Sequence, residues 1–269
     1  MNFRNTSLVF FLLLLVFNFM KLIVCPCDLP VIGFFCRHPA WFYGTLSTLY
    51  LIIPVLLSFY PCSQFHYNPV ICKGITKARE VVLTFDDGPH PEFTPLILET
   101  LRRHSIKAGF FIIGKHIPGN ENIIKAMNED GHVFGNHSFT HSHLWDFWTP
   151  ARIHRDIMKT ASLISDITGK NPEYFRPPYG VINPMVSKAI RMTSYRVVAW
   201  SKRSLDTLAR DPEVLLQRIT RNLKGGDIIL LHDNQEITAN ILEKLIQEIN
   251  NKGFRIVPLD RFTKNNSDG

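Results

Sequence analysis

Between Val81 and Pro258 the chain alternates short β-branched or aromatic runs with amphipathic stretches, and this rhythm is the tightest constraint on its fold. The runs read VVLTF, AGFFII, HVFGN, YFR, YRVVAW, DIILL and FRIVP. Between them apolar residues recur at helical spacing. Ile153, Ile157, Ala161, Ile164 and Ile167 form a stripe on a helix expected over Ala151 to Thr168, and Ile241, Leu245 and Ile249 form another. Roughly seven strand–helix units predict a parallel sheet, either closed as a barrel or open and doubly wound. Thr94-Pro95, Thr149-Pro150 and Asp211-Pro212 each set a capping side chain before a first-turn proline, while Gly131, Gly169 and Gly253 are expected to stop helices.

The positions of the polar residues favour the barrel. Asp86 and Asp87 end the first run, His137 follows the third, Arg176 closes the fourth, Asp206 follows the fifth and His232 ends the sixth. Active sites of parallel barrels gather at the C-terminal ends of several strands. Adjacent carboxylates repel, so Asp86 and Asp87 call for a cation or a proton between them. In HSFTH, His137 and His141 stand four residues apart, a spacing that on a helical turn puts both imidazoles on one face, ready for a single cation. Asp87 would complete a two-histidine, one-carboxylate set with open positions for water and substrate.

In order, TFDDGP, HSFTH, RPPYG and LLH, spread over about Val81 to Leu259, resemble the polysaccharide deacetylases of carbohydrate esterase family four. That family includes chitin, peptidoglycan and nodulation-factor chitooligosaccharide deacetylases. The resemblance implies an α/β fold, a distorted seven-stranded (β/α) barrel. It implies that Asp86 is the catalytic base and that Asp87, His137 and His141 hold a divalent metal, usually zinc, with cobalt or another divalent ion as alternatives. By the same resemblance His232 is the general acid for the departing amine and Asp206 pairs with it. Arg176 orients the base, the backbone N–H of Tyr179 holds the oxyanion, and Pro178 and Leu230 fall at substrate-binding positions. Two departures stand out. Thr207 replaces a frequent tryptophan, removing an apolar wall of the acetyl pocket and leaving acyl preference open, and Arg203 stands where many members carry an aspartate.

Each of these residues has a blander reading. Paired aspartates cap turns, Arg-Pro-Pro-Tyr makes a rigid bend, and a buried histidine is often just hydrogen bonded. Trp145 and Trp148 could stack on a sugar face, but packing is the commoner role. His143 is expected to support the ligands or lie on the surface, and His104, His132 and His154 are read as structural. Taken together, in order and at strand ends, the motifs outweigh the bland readings.

Ahead of this region lie two apolar segments, at about 8–24 and 41–60. The second, WFYGTLSTLYLIIPVLLSFY, is uncharged, has aromatic residues at both ends and has the ~20 residues a bilayer crossing needs. A kink is expected near Pro54. The first is broken by Lys21 and reads as a membrane helix or as a signal sequence with Arg4 in its basic region; LIVC faintly resembles a lipoprotein cleavage site. The expected organisation is a membrane region over 1–72, a catalytic domain over 73–263 and a polar tail over 264–269. Two crossings would put both termini on one side, and Arg4, Lys73, Lys77 and Arg79 against Arg37 place that side in the cytoplasm. All five cysteines, Cys25, Cys27, Cys36, Cys62 and Cys72, precede the Asp pair and are read as membrane-proximal thiols.

The net charge of +7 suits an anionic surface such as lipid headgroups or a wall polymer. No nucleic-acid motif is present, and oligomeric state is not indicated. The leading expectation is a metal-dependent deacetylase anchored in a bacterial cytoplasmic membrane, acting on an amino-sugar glycan. A deformylase or deacetylase of a lipid-linked amino sugar and a catalytically inactive glycan-binding module are the alternatives.

Overall fold

The computed structural model describes residues 3–23, 34–35 and 37–263. All seven expected runs are strands, and two further two-residue strands join them, giving one nine-stranded sheet whose laddered pairs are all parallel. In chain order the strands are β1 (Val70–Ile71), β2 (Glu80–Asp86), β3 (Gly109–Ile112), β4 (Val133–Asn136), β5 (Tyr174–Phe175), β6 (Arg196–Val198), β7 (Lys202–Arg203), β8 (Ile228–His232) and β9 (Arg255–Ile256). Their spatial order is β1-β6-β5-β4-β3-β2-β8-β7, with β9 beside the start of β2. The sheet curls but does not close by a ladder. Residues 199–201 instead span the gap between its ends, Ala199 N–H donating to Ile71 O and Ser201 N–H to Ile228 O. The expected seven-stranded barrel is thus a curled parallel α/β sheet with two short extra strands, which were too brief to give a periodic signal.

The central strand shows why the sequence curls this way. Val81, Leu83 and Phe85 pack outward beneath helices, while Val82, with Phe111, Val198 and Ile228, fills the interior. Period-two alternation then carries Thr84 and Asp86 to the inner face, one and two rows above Val82. The register sets Asp86 opposite His232 on β8 and Phe111 on β3.

Helix signals met mixed outcomes. Asp211 caps the helix Pro212–Thr220, accepting from Glu213 N–H and Val214 N–H. Thr149 precedes the helix Pro150–Thr168 but its hydroxyl makes no cap bond. Thr94 is no cap at all. That helix runs Phe93–Arg103, and the hydroxyl within its first turn serves another purpose, described below. Asn183-Pro184, not anticipated, caps Pro184–Ile190 through Met185 N–H and Val186 N–H. Gly131, Gly169 and Gly253 follow helix ends at φ of +73°, +71° and +74°, the left-handed conformation that favours glycine.

At the N-terminus, α1 (Phe3–Ile23) packs against α2 (Pro39–Ser58) through Phe17 stacked on Phe42 and a bond from the Tyr43 hydroxyl to Asn18 Oδ1. Among the described residues only α2 is long and apolar enough to cross a membrane, with mean hydropathy 1.6; the shorter apolar stretch of α1 is Val9–Phe19. The helix continues through Pro54. Cys25, Cys27, Cys36, the Arg4 side chain and the 264–269 tail lie outside the described residues. Cys62 and Cys72, expected as thiols, form a disulfide. Val70–Ile71 joins the sheet beside β6, so the folded α/β unit begins ahead of the expected boundary at 73.

Candidate active site

Loops at the C-terminal ends of the strands hold the site in conformations that most residues avoid. Of the seven described non-glycine residues with positive φ, five lie there: Asp87 (+76°), Ser138 (+68°), His141 (+47°), Tyr179 (+58°) and Leu205 (+62°). Such strain persists only where surrounding contacts over-determine it. HSFTH is one of these loops and not a helical turn, in contrast to the expectation from its spacing. Asp156, on the helix Pro150–Thr168, fixes it by accepting from Phe139 N–H at 2.8 Å, while Trp145 Nε1–H donates to the same oxygen at 2.9 Å. The loop thereby brings His137 Nε2 and His141 Nε2 each to 3.6 Å from Asp87 Oδ1.

These three residues fit a cation. One ligand atom from each lies within 4.8 Å of the others. Asp87 Oδ1 is buried without a hydrogen-bond partner, a costly state for a carboxylate oxygen unless something positive meets it. His137 Nδ1 lies 2.7 Å from Arg176 O, a carbonyl that can only accept, so the proton sits on Nδ1 and the Nε2 lone pair is free for a metal. Burial pushes the His137 pKa down to about 3, and the neighbouring His141 works in the same direction. Burial also lowers His141. Both rings are therefore neutral at physiological pH, as ligands must be.

Asp86 stands beside this set. It is buried, and Arg176 Nη1 reaches its Oδ1 at 2.5 Å. Arg176 is fully buried too, its other nitrogens donating to Val198 O and Ala199 O at 3.0 Å and its guanidinium lying over the Phe111 ring. Burial raises Asp86 above the ordinary carboxylate range against the opposing pull of Arg176 and His232, which makes it a stronger base. Across the sheet, His232 Nδ1 bonds Asp206 Oδ1 at 2.7 Å. Asp206 is almost fully buried and also accepts from the His232 N–H, Ser204 Oγ and Thr238 Oγ1. Burial opposes charge on both partners, yet their bond wins: Asp206 is held below the ordinary range and His232 is raised to about 9.

Asp86, Asp87, His137, His141, Tyr179 and His232 open onto one cleft of about 180 Å³. Leu230, Trp200 and Thr207 supply further walls, and Arg203 stands on its rim. Arg176 and Asp206 lie behind it as supports, and Pro178 is buried in the turn before Tyr179 without lining the cleft. Trp145 is buried core, and Trp148 carries the Arg152 guanidinium on its face. His143 Nδ1 pairs with the Tyr179 hydroxyl at 2.9 Å, a supporting role beside the His141 ring.

Three contributors were missed by sequence reasoning. Trp200 was hidden in a strand run. Asp156 offered a signal, an acid between Ile153 and Ile157 on a buried stripe. Asp233, next to His232, is fully buried and takes a bond from Thr94 Oγ1 at 2.7 Å, which is the task of that hydroxyl. A Cβ at Gly88 would fall 1.9 Å from Asp233 Oδ2, so the turn after the Asp pair can pass only as glycine.

Comparison with known proteins finds relatives of one family. A family model described as polysaccharide deacetylase matches residues 73–198. The peptidoglycan-N-acetylglucosamine deacetylase PgdA of Listeria monocytogenes is 33% identical over 194 residues, covering 72% of this chain; the chain spans only 41% of that relative's length. A peptidoglycan-N-acetylglucosamine deacetylase of Bacillus cereus is 34% identical over 195 residues, with 69% of each chain covered. Among solved structures, the Bc1960 peptidoglycan N-acetylglucosamine deacetylase superposes with a TM-score of 0.68 at 31% identity, covering 72% of this chain and 92% of that one.

Proposed function

The chain belongs to the polysaccharide deacetylase family, and from that premise we propose that it is a metal-dependent hydrolase removing N-acetyl groups from an amino-sugar glycan of peptidoglycan or chitooligosaccharide type. The observation that carries this reading is the division of labour between adjacent carboxylates: Asp87 faces two neutral imidazoles, while Asp86 is gripped by Arg176 and aligned in register with His232. One carboxylate binds charge and its neighbour moves protons.

A divalent cation held by Asp87, His137 and His141 would polarise the acetamido carbonyl and acidify the attacking water. Asp86 accepts that water's proton, with Arg176 keeping its carboxylate turned to the cleft. The N–H of Tyr179, a left-handed residue lining the cleft, would receive the carbonyl oxygen as charge develops on it. His232, protonated at neutral pH, gives its proton to the amine as the C–N bond breaks. Leu230, Trp200 and Thr207, which line the cleft, would enclose the acetyl group. An intact set of acid, base and ligand residues weighs against a binding module without turnover.

Chelation should abolish hydrolysis of tetra-N-acetylchitotetraose, and zinc or cobalt should restore it. Asp86→Asn should lose turnover by orders of magnitude while binding metal normally, whereas Asp87→Ala should lose the metal itself. Equal metal loss in both variants would mean that the two carboxylates have been assigned wrongly.

Anchoring in a membrane is part of the same proposal, supported by the uncharged α2 and by its junction with the site. Ile182 N–H, three residues after Tyr179, donates to Ser58 O at the end of α2. The Cys62–Cys72 disulfide that follows belongs to an oxidising compartment and weighs against a cytoplasmic placement of this domain. We place it on the outer face of a bacterial cytoplasmic membrane, where wall glycan is within reach. This placement leaves no specific observation favouring a lipid-linked sugar.

A further inference from the structure

Arg203 is the one charged side chain lining the cleft that the deacetylation chemistry leaves without a task. It lies on β7 beside Leu230 of β8, and both line the cleft. Its neighbour Lys202 faces the other way, into a separate surface hollow with Arg218 and Arg221. Of the carboxylates lining or backing the cleft, Asp86 is paired with Arg176 and Asp206 with His232, while Asp87 faces the two imidazoles that with it could hold a cation. Among the described residues the Arg203 guanidinium makes no ion pair, hydrogen bond or ring contact. A planar fork of donors left open on the rim of a substrate cleft matches a carboxylate or phosphate.

We infer that Arg203 selects glycans carrying an anionic substituent close to the acetamido group that is hydrolysed. This deepens the deacetylase reading and rests on it. Leu230 and Thr207 bound the acetyl group, so the anion projects from the same sugar, or from the next one, toward the β7 rim and away from Asp87. An ether-linked lactyl carboxylate and a sugar phosphate share the required chemistry. A neutral chitooligosaccharide lacks it and would leave the guanidinium solvated. The preference is therefore expressed in binding, and proton transfer at Asp86 and His232 is the same for either substrate.

The experiment compares kcat/KM of the full chain, loaded with zinc in detergent, on four glycans of matched length. They are tetra-N-acetylchitotetraose, its 1-phosphate, a peptide-free strand with lactyl carboxylates, and that strand with the carboxylates methyl-esterified. Arg203→Ala should lower the anionic-to-neutral ratio by roughly 10- to 100-fold, the range of one charge-assisted hydrogen-bonded pair, and the loss should appear in KM. Arg203→Gln, which keeps most of the stem, should do the same, and Arg203→Lys should recover part of the preference. The 1-phosphate and lactyl arms identify which anion is read, and the ester should behave as neutral. An unchanged ratio in the alanine and glutamine variants, with turnover retained, overturns the Arg203 assignment alone. Absence of turnover by the wild type on all four glycans overturns the deacetylase reading and this inference with it.

Discussion

His232 can act as an acid only while it carries its proton. Burial works against that proton, but the bond to Asp206 raises the group to about 9, so the acid form prevails across neutral pH. Turnover is expected to fall as pH rises through about 9. Asp206→Asn keeps the shape of this corner and one of its two acceptor oxygens while removing the charge, leaving burial as the stronger influence on the ring. The alkaline limb of the kcat profile should then move down toward or below the ordinary histidine value of ~6.5, with most activity at pH 7 lost. An alkaline limb that stays in place would refute the pairing as the source of the acid. As the proposed base, Asp86 should set the opposite limb: burial raises it, so protonation should disable it at a higher pH than for an ordinary carboxylate.

At the scale of single elements, the HSFTH loop shows how a helix can serve a site it does not line. Asp156 holds two loop amides and the Trp145 indole with one oxygen, and nothing else among the described residues spans that turn in the same way. Asp156→Ala should destabilise the protein by about 2–3 kcal/mol in urea unfolding. It should also weaken zinc binding roughly 10-fold or more, because the ligands' support is gone. Lower stability with unaltered zinc affinity would show that Asp156 supports only the fold. The contrast with the strands explains what the sequence could and could not disclose. Strand identity, the inward row through Thr84 and Asp86, and the residues that meet at the cleft follow from period-two alternation and from motifs at strand ends, both of which are local. The helical turn expected for His137 and His141 failed because a four-residue spacing is also met by a loop with two left-handed residues. Thr94 failed as a cap because its partner, Asp233, is distant in sequence and close only once β2 and β8 pair. Val70–Ile71 was invisible because two residues carry no period.

The whole molecule joins its apolar helix to its cleft by a continuous run of contacts. Ser58, the last residue of α2, is buried and accepts from Ile182 N–H; Pro61 closes on Gly180, and Cys62 Sγ lies 3.2 Å from Trp200 O, at the cleft wall. Phe65, Val70 and Ile71 are buried behind them. At about 1.5–3 kcal/mol for each large apolar side chain removed from its packing, deleting these three costs roughly 5 kcal/mol or more, before the disulfide is counted. That rivals the whole net stability of a typical domain. A truncation starting at Phe59 should therefore fold, stay soluble and hydrolyse tetra-N-acetylchitotetraose. One starting at Lys73, the boundary suggested by the sequence alone, should melt far lower and lose the cleft wall with it, even though it retains every motif residue. Thermal unfolding and kcat/KM of the two truncations decide the matter. If the shorter form matched the longer in both, residues 59–72 would be no more than a tether. If only the shorter form failed, the tether is part of the site, and the cleft is fixed beside the end of α2.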